Sequence, residues 1–419
     1  MVVVARGPGE RQAGGGVLLA PLSRPSGFLT SFAQALGALT VDAAGLVAGL
    51  IFAAALELLP HELWSIVAYP CVLTARGMVG GVFCGRLSSA LWLGTVRPGF
   101  LGNTEEFRTL YRAVMVLSGL ASLLMVGSIS LYGLLWSLRV AQALDMAAAI
   151  ITTMALAFLL ATPTSALVAF TSFRRGLDPD VITYPVGSTS SDIMVSACYV
   201  ATLVLMAQGL LGRALSYAIC TAFLAACALT AIVERGNASF RKTLREAVAS
   251  SAAVAAISGG TGTLLGQMSL TVGLRPEVAL AYPAIIGTVG DVGSIVGCTA
   301  TTKLWSGELE ARLSSLKGHA REIAAAWAAS ALMFTAYALI ASLVGGPAEL
   351  PFLLTAFLLA NLMAVGATVL LAFLAGMATF RRGLDPDNFV IPIESSAADA
   401  ITTCSLLAAI SLAMALGVR

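Results

Sequence analysis

Charge is what this chain has least of. Of 419 residues, 11% are Asp, Glu, Lys or Arg and 58% are hydrophobic. A soluble domain carries about 25% charged residues, so the composition excludes a chain built mainly of water-facing domains and puts most of it in lipid. Histidine is almost missing: His61 and His319 stand far apart without a partner motif, and neither is expected to bind metal. The seven cysteines (Cys71, Cys84, Cys198, Cys220, Cys227, Cys298 and Cys404) lie in apolar runs without a CxxC spacing. They read as small core residues, which excludes a disulfide framework and a zinc site. A net charge of +2 gives no reason to expect a nucleic-acid partner. The N-terminus MVVVARGPGERQAGGG is not a secretory signal, because Arg6, Glu10 and Arg11 are followed by glycines rather than by an apolar core. Residues 1–34 are expected to form a cytoplasmic tail.

What the chain has is repetition. Phe173 to Asp180 reads FRRGLDPD, and Phe380 to Asp387 reads the same, at an offset of 207. VITYPVGSTSSD follows the first copy and NFVIPIESSAAD the second, with prolines (Pro185, Pro392) and closing acids (Asp192, Asp399) in register. A second pair of stretches, AYPCVLTARGMVGG from Ala68 and AYPAIIGTVGDVGS from Ala281, lies at an offset of 213. The change of offset means that six residues are lost in the second copy, and the loop after the second apolar run is the expected place. Self-similarity at this length is a statement about architecture.

Eleven apolar runs are long enough to span a bilayer: 37–59, 64–93, 112–137, 142–172, 188–211, 214–233, 247–271, 279–305, 323–345, 350–379 and 393–417. The expected fold is an all-α polytopic membrane protein of two parallel five-helix repeats, residues 35–212 and 237–419, joined by one extra transmembrane helix at 213–236. That extra helix lets two odd-numbered repeats point the same way, related by a pseudo-twofold axis along the membrane normal. With the N-terminus inside, eighteen Lys and Arg fall on the cytoplasmic side, and only Arg139, Arg213, Arg275 and Arg419 outside. The expected location is the cell membrane, with the C-terminus outside.

Acids at lipid depth are the informative residues, since each costs about 2.5–3.5 kcal/mol on insertion scales unless it finds a partner or water. They are Asp42, Glu57, Asp145, Asp192, Asp291, Glu394 and Asp399. Asp192 and Asp399 stand out because they are equivalent in the two copies. Each follows small and hydroxyl residues, GSTSSD with Ser188 and Ser191, and ESSAAD with Ser395. Two carboxylates facing one axis suit a divalent cation, and an oxygen-only ligand set favours Mg²⁺, Ca²⁺ or Mn²⁺. Asp192 and Asp399 can also be read as interhelical hydrogen-bond partners. Asp291 is either a third metal ligand or the partner of a base such as Arg76. Glu394 is either a pathway group or a helix-start carboxylate. Asp178, Asp180, Asp385 and Asp387 of the repeated DPD loops either order a cytoplasmic vestibule or serve as turn formers.

GLDPDNFVIPIESSAAD resembles the fifth-helix signature of MgtE-type magnesium transporters. AYPAIIGTVGDVGS resembles their second-helix signature, and GRLSSALWLG at Gly85 to Gly94 the stretch that ends that helix. The tandem arrangement is similar to the animal magnesium carriers of the solute-carrier group. The resemblance implies a Mg²⁺ pathway between the repeats, with the fifth-helix acids Asp192 and Asp399 at the ion site. The family often has Gly-Asn in the second helix, where this chain has Gly77-Met78 and Gly290-Asp291. Mg²⁺ is then the transported ion, with no cofactor and no enzymatic activity. The partners are the ion and the lipid bilayer, and one tandem chain could form the two-fold path as a monomer. An ion-coupled carrier of another solute and a membrane-embedded metal-dependent enzyme are the competing readings.

Overall fold

A computed structural model describes residues 27–58, 62–175, 179–271, 273, 275–305, 308–382 and 386–417. Side chains at 136, 179–188, 249, 298, 301–302, 305, 379, 382 and 386–394 lie outside that description.

Every regular element among the described residues is helical. Backbone N–H and C=O groups at lipid depth must be satisfied within the segment, and the apolar runs satisfy them as helices. The helices are α1 (Phe28–Leu39), α2 (Gly45–Leu58), α3 (Leu63–Trp92), α4 (Glu105–Gly133), α5 (Val140–Arg174) and α6 (Pro179–Ala207). There follow α7 (Leu210–Val233), α8 (Ala238–Thr271), α9 (Pro276–Trp305), α10 (Ala320–Gly345), α11 (Leu350–Arg382) and α12 (Pro386–Ala415). Together they form eleven segments long and apolar enough to cross a bilayer, with α1 and α2 sharing the first. A 3-10 turn at Thr40–Ala44 separates those two. The first helix starts at Phe28, earlier than the apolar run from residue 37, because the half-polar FLTSFAQALGAL still has a face that buries Ala35 and Leu39.

Short junctions turn on glycine. Gly209 between α6 and α7 has φ 86°, and Gly346 before α11 has φ 96°, a region in which a side chain would be strained. The α3–α4 loop is built differently. The buried Asn103 side chain bonds the backbone of Arg97, Gly99 and Thr104, and Thr104 caps α4 by accepting from the N–H of Phe107 at 3.4 Å. Phe100 packs edge-on against Phe107 and Phe170, which ties this loop to the end of α5 beside the first FRRGLDPD stretch.

The α3–α4 and α9–α10 connections, residues 93–104 and 306–319, do not differ by the expected six residues. The shortening is spread over the next elements: the offset between equivalent helix bounds is 215 at the starts of α4 and α10 (Glu105, Ala320), 210 at the starts of α5 and α11 (Val140, Leu350) and 208 at their ends (Arg174, Arg382).

Helix packing crosses the two halves of the sequence. The early helix α2 lies on α9 and also touches α6, and α1 lies on α10. In return α8 lies on α3 and α4, and touches α12. Glycine permits both crossings. A Cβ at Gly49 would fall on the carbonyl of Leu280, and one at Gly45 would stand 3.0 Å from the backbone of Ala284. A Cβ at Gly262 would fall on the carbonyl of Val67. The two tightest contacts are in register, since 49 and 262 differ by 213, as do 67 and 280. Small residues that let backbones touch are the usual basis of helix association in lipid. The extra helix α7 packs on α4, α5 and α6, and it is the least buried span.

Candidate ion site

The helices that carry Asp192 and Asp399 are each bonded to a buried tyrosine. The Tyr69 hydroxyl of α3 lies 2.9 Å from the Ser196 hydroxyl of α6, and the Tyr282 hydroxyl of α9 lies 2.9 Å from the Thr403 hydroxyl of α12. Ser196 and Thr403 stand one helical turn after Asp192 and Asp399, on the same face. Each tyrosine therefore fixes the rotation of the helix that carries the acid. Phe52 of α2 stacks on Tyr69 with ring centroids 3.7 Å apart, so the crossed first helix supports the second.

Asp399 reaches across the halves. Its Oδ2 accepts a hydrogen bond from the Thr74 hydroxyl of α3 at 3.1 Å. The Thr74 hydroxyl also lies 3.0 Å from the carbonyl of Pro70, so its one hydrogen is shared. The register position of Thr74 in the other half is Gly287, which has no side chain to offer Asp192. Asp192 is half-buried, and its electrostatic neighbours are Asp399, Arg76 and Asp291.

Asp291 lies with Asp42, not with Arg76. The Asp42 carboxyl, in the 3-10 break of the first span, is within hydrogen-bonding reach of the Asp291 carboxyl and the Thr288 hydroxyl. Thr288 in turn lies 2.8 Å from the Tyr337 hydroxyl of α10. Asp42 packs against Gly287, where a Cβ would stand in ordinary contact 3.6 Å from its Oδ1. The second Asp42 oxygen, Oδ2, is buried without a hydrogen-bond donor among the described residues. The equivalent positions in the other half are Ala255 and Met78, so this carboxyl pair has no counterpart.

Among the described residues, no three His, Cys, Asp or Glu side chains converge closely enough to hold a bare metal ion. The polar side chains of the cluster carry oxygen: the carboxyls of Asp42, Asp192, Asp291 and Asp399 and the hydroxyls of Thr74 and Thr288.

Of the other residues singled out in the sequence, Ser191 is buried and Ser395 half-buried, each within a turn of its acid. The side chains of Ser188, Asp180, Asp387 and Glu394 lie outside the described residues, as do Asp178 and Asp385 altogether. Glu57 is exposed at the end of α2. Asp145 accepts from the Tyr217 hydroxyl at 2.9 Å and pairs with Arg213 at 3.5 Å, which fastens α7 to α5 away from the cluster. His319 is buried, 3.0 Å from the Thr299 hydroxyl and 3.6 Å from Glu322, at the cytoplasm-expected end of α9 and α10. The sequence reading passed over Thr74, Tyr69 and Tyr282. The two tyrosines carried a signal, since AYP occurs in both copies.

An all-helical polytopic membrane protein, with acids gathered at membrane depth among its helices, is the class that this fold and cluster define. The chain matches the family model described as MgtE, divalent cation transporter, over residues 69–202 and 282–409, together more than half of its length. It belongs to that family of divalent cation transporters. No curated relative and no solved structure matches it.

Proposed function

We propose that this protein carries Mg²⁺ across the cell membrane along the seam between two five-helix repeats, residues 35–212 and 237–419, joined by α7. The observation that carries this reading is the meeting of Asp192 and Asp399 as electrostatic neighbours, with Asp399 bonded at 3.1 Å to the second helix of the other repeat. An acid that crosses from one repeat to the other faces the seam. Two carboxylates there attract a divalent cation, and Mg²⁺ dehydrates reluctantly enough to pass with most of its waters. Asp291 and Asp42 extend the acidic surface to one side. The Lys and Arg bias supports a cytoplasmic N-terminus and an outside C-terminus. The chain acts as a transporter and not as an enzyme, and a single copy supplies both sides of the path.

The test is Mg²⁺ flux into liposomes holding the pure protein, beside an Asp192→Asn/Asp399→Asn variant of equal thermal stability. Loss of two charge-assisted contacts should cut flux at least about tenfold. Normal flux from the double variant would remove these acids from the path. Flux that needs an imposed Na⁺ or H⁺ gradient would mark a coupled carrier in place of passive conduction.

A further inference from the structure

Arg76 is an arginine that the fold buries and leaves without hydrogen bonds. It sits in the middle of α3 with 1% of its surface exposed. None of its three side-chain nitrogens has a hydrogen-bond partner among the described residues. A guanidinium presents five donors and holds its proton under ordinary conditions. Buried and unbonded, it is a costly group with no structural return in this conformation. Helix α3 makes space for it at Gly80, where a Cβ would stand 3.1 Å from Nη1. The groups that face it are Cys84 on its own helix, Tyr111 on α4 and Asp192 on α6. Of these, only Asp192 is a carboxylate. Yet the two form no ion pair within 4.0 Å.

The other half of the molecule has nothing like it. The register position of Arg76 is Val289, fully buried and apolar. Asp399 therefore has a neutral partner, the Thr74 hydroxyl, while Asp192 has a positive charge nearby.

We infer that Arg76 is a tethered counter-ion, which competes with the transported cation for Asp192. When the cation leaves, the guanidinium closes on Asp192 and satisfies both groups. When a cation arrives, the guanidinium gives way to it and stays beside Gly80. Arg76 then holds down the affinity of the site, so that a divalent cation is released rather than trapped between acids. The inference rests on reading Asp192 and Asp399 as the ion site.

The experiment is calorimetric Mg²⁺ binding to the full-length protein in detergent, with flux in liposomes alongside. Arg76→Gln should bind Mg²⁺ at least about tenfold more tightly, because a competing unit charge is gone from a poorly screened site, and its maximal flux should fall as release slows. In an Asp192→Asn background the same change should leave Mg²⁺ affinity unaltered. Wild-type or weaker affinity in a folded Arg76→Gln protein would overturn the inference. If that variant does not fold, Arg76→Lys decides. It keeps the charge, so affinity within about threefold of wild type is expected, and a tenfold change would overturn the proposal. Asp399→Asn separates the two levels: unchanged Mg²⁺ binding there would overturn the site itself, whatever Arg76 does.

Discussion

At the residue scale, one hydroxyl orients one acid. Thr74 is the only side chain seen to bond the Asp399 carboxylate among the described residues, and it comes from the other half of the chain. Thr74→Val keeps the shape and removes the donor. It should lower Mg²⁺ flux severalfold while leaving thermal stability within about 1 kcal/mol, and Thr74→Ser should restore the flux. An equal loss in the Ser variant would mean that packing, not the hydroxyl, matters there. The acids themselves were legible in the sequence, because a carboxylate inside an apolar run is conspicuous and two in register are more so. Their partners were not. Thr74 and Asp399 stand 325 residues apart, and no local pattern joins them. Arg76 was visible as an intramembrane base, but its level on α3 suggested Asp291 as a partner, and only the packing separates the two. Asp291 lies with Asp42 instead.

At the element scale, the spans were legible and their partners were not. Apolar runs of this length mark helices because a helix satisfies its backbone groups within the segment. They do not say which helix lies on which, since α2 would be as apolar packed on α3 as it is on α9. The crossing rests on glycine. Gly49→Leu should destabilise the protein by about 1–3 kcal/mol or more, since its Cβ meets backbone that cannot move aside. Gly262→Leu should do the same on the other side. Gly37→Leu is the control: a Cβ there meets nothing within 4 Å, and the change should be nearly neutral. Thermal unfolding in detergent with and without Mg²⁺ would compare all three. A stable Gly49→Leu protein would mean that α2 and α9 separate in solution.

At the scale of the whole molecule, the proposed alternation of eleven spans puts the α3–α4 loop and the C-terminal ends of α5 and α11 on one face, and the α6–α7 turn on the other. In a variant without other reactive thiols, Leu101→Cys should label with an impermeant maleimide only from the cytoplasmic side, and Leu210→Cys only from outside. Both positions are well exposed. The reverse pattern would invert the proposed orientation and leave the fold intact. The crossing of first helices also has a consequence in time. Gly49 is made about 230 residues before Leu280, the backbone it packs on. At about 5–20 residues per second, α2 waits roughly 10–50 seconds in the bilayer for α9. For that interval its glycine face and the acid Asp42 stand without their partners, so the half-made chain is the form most open to membrane proteases and insertion chaperones.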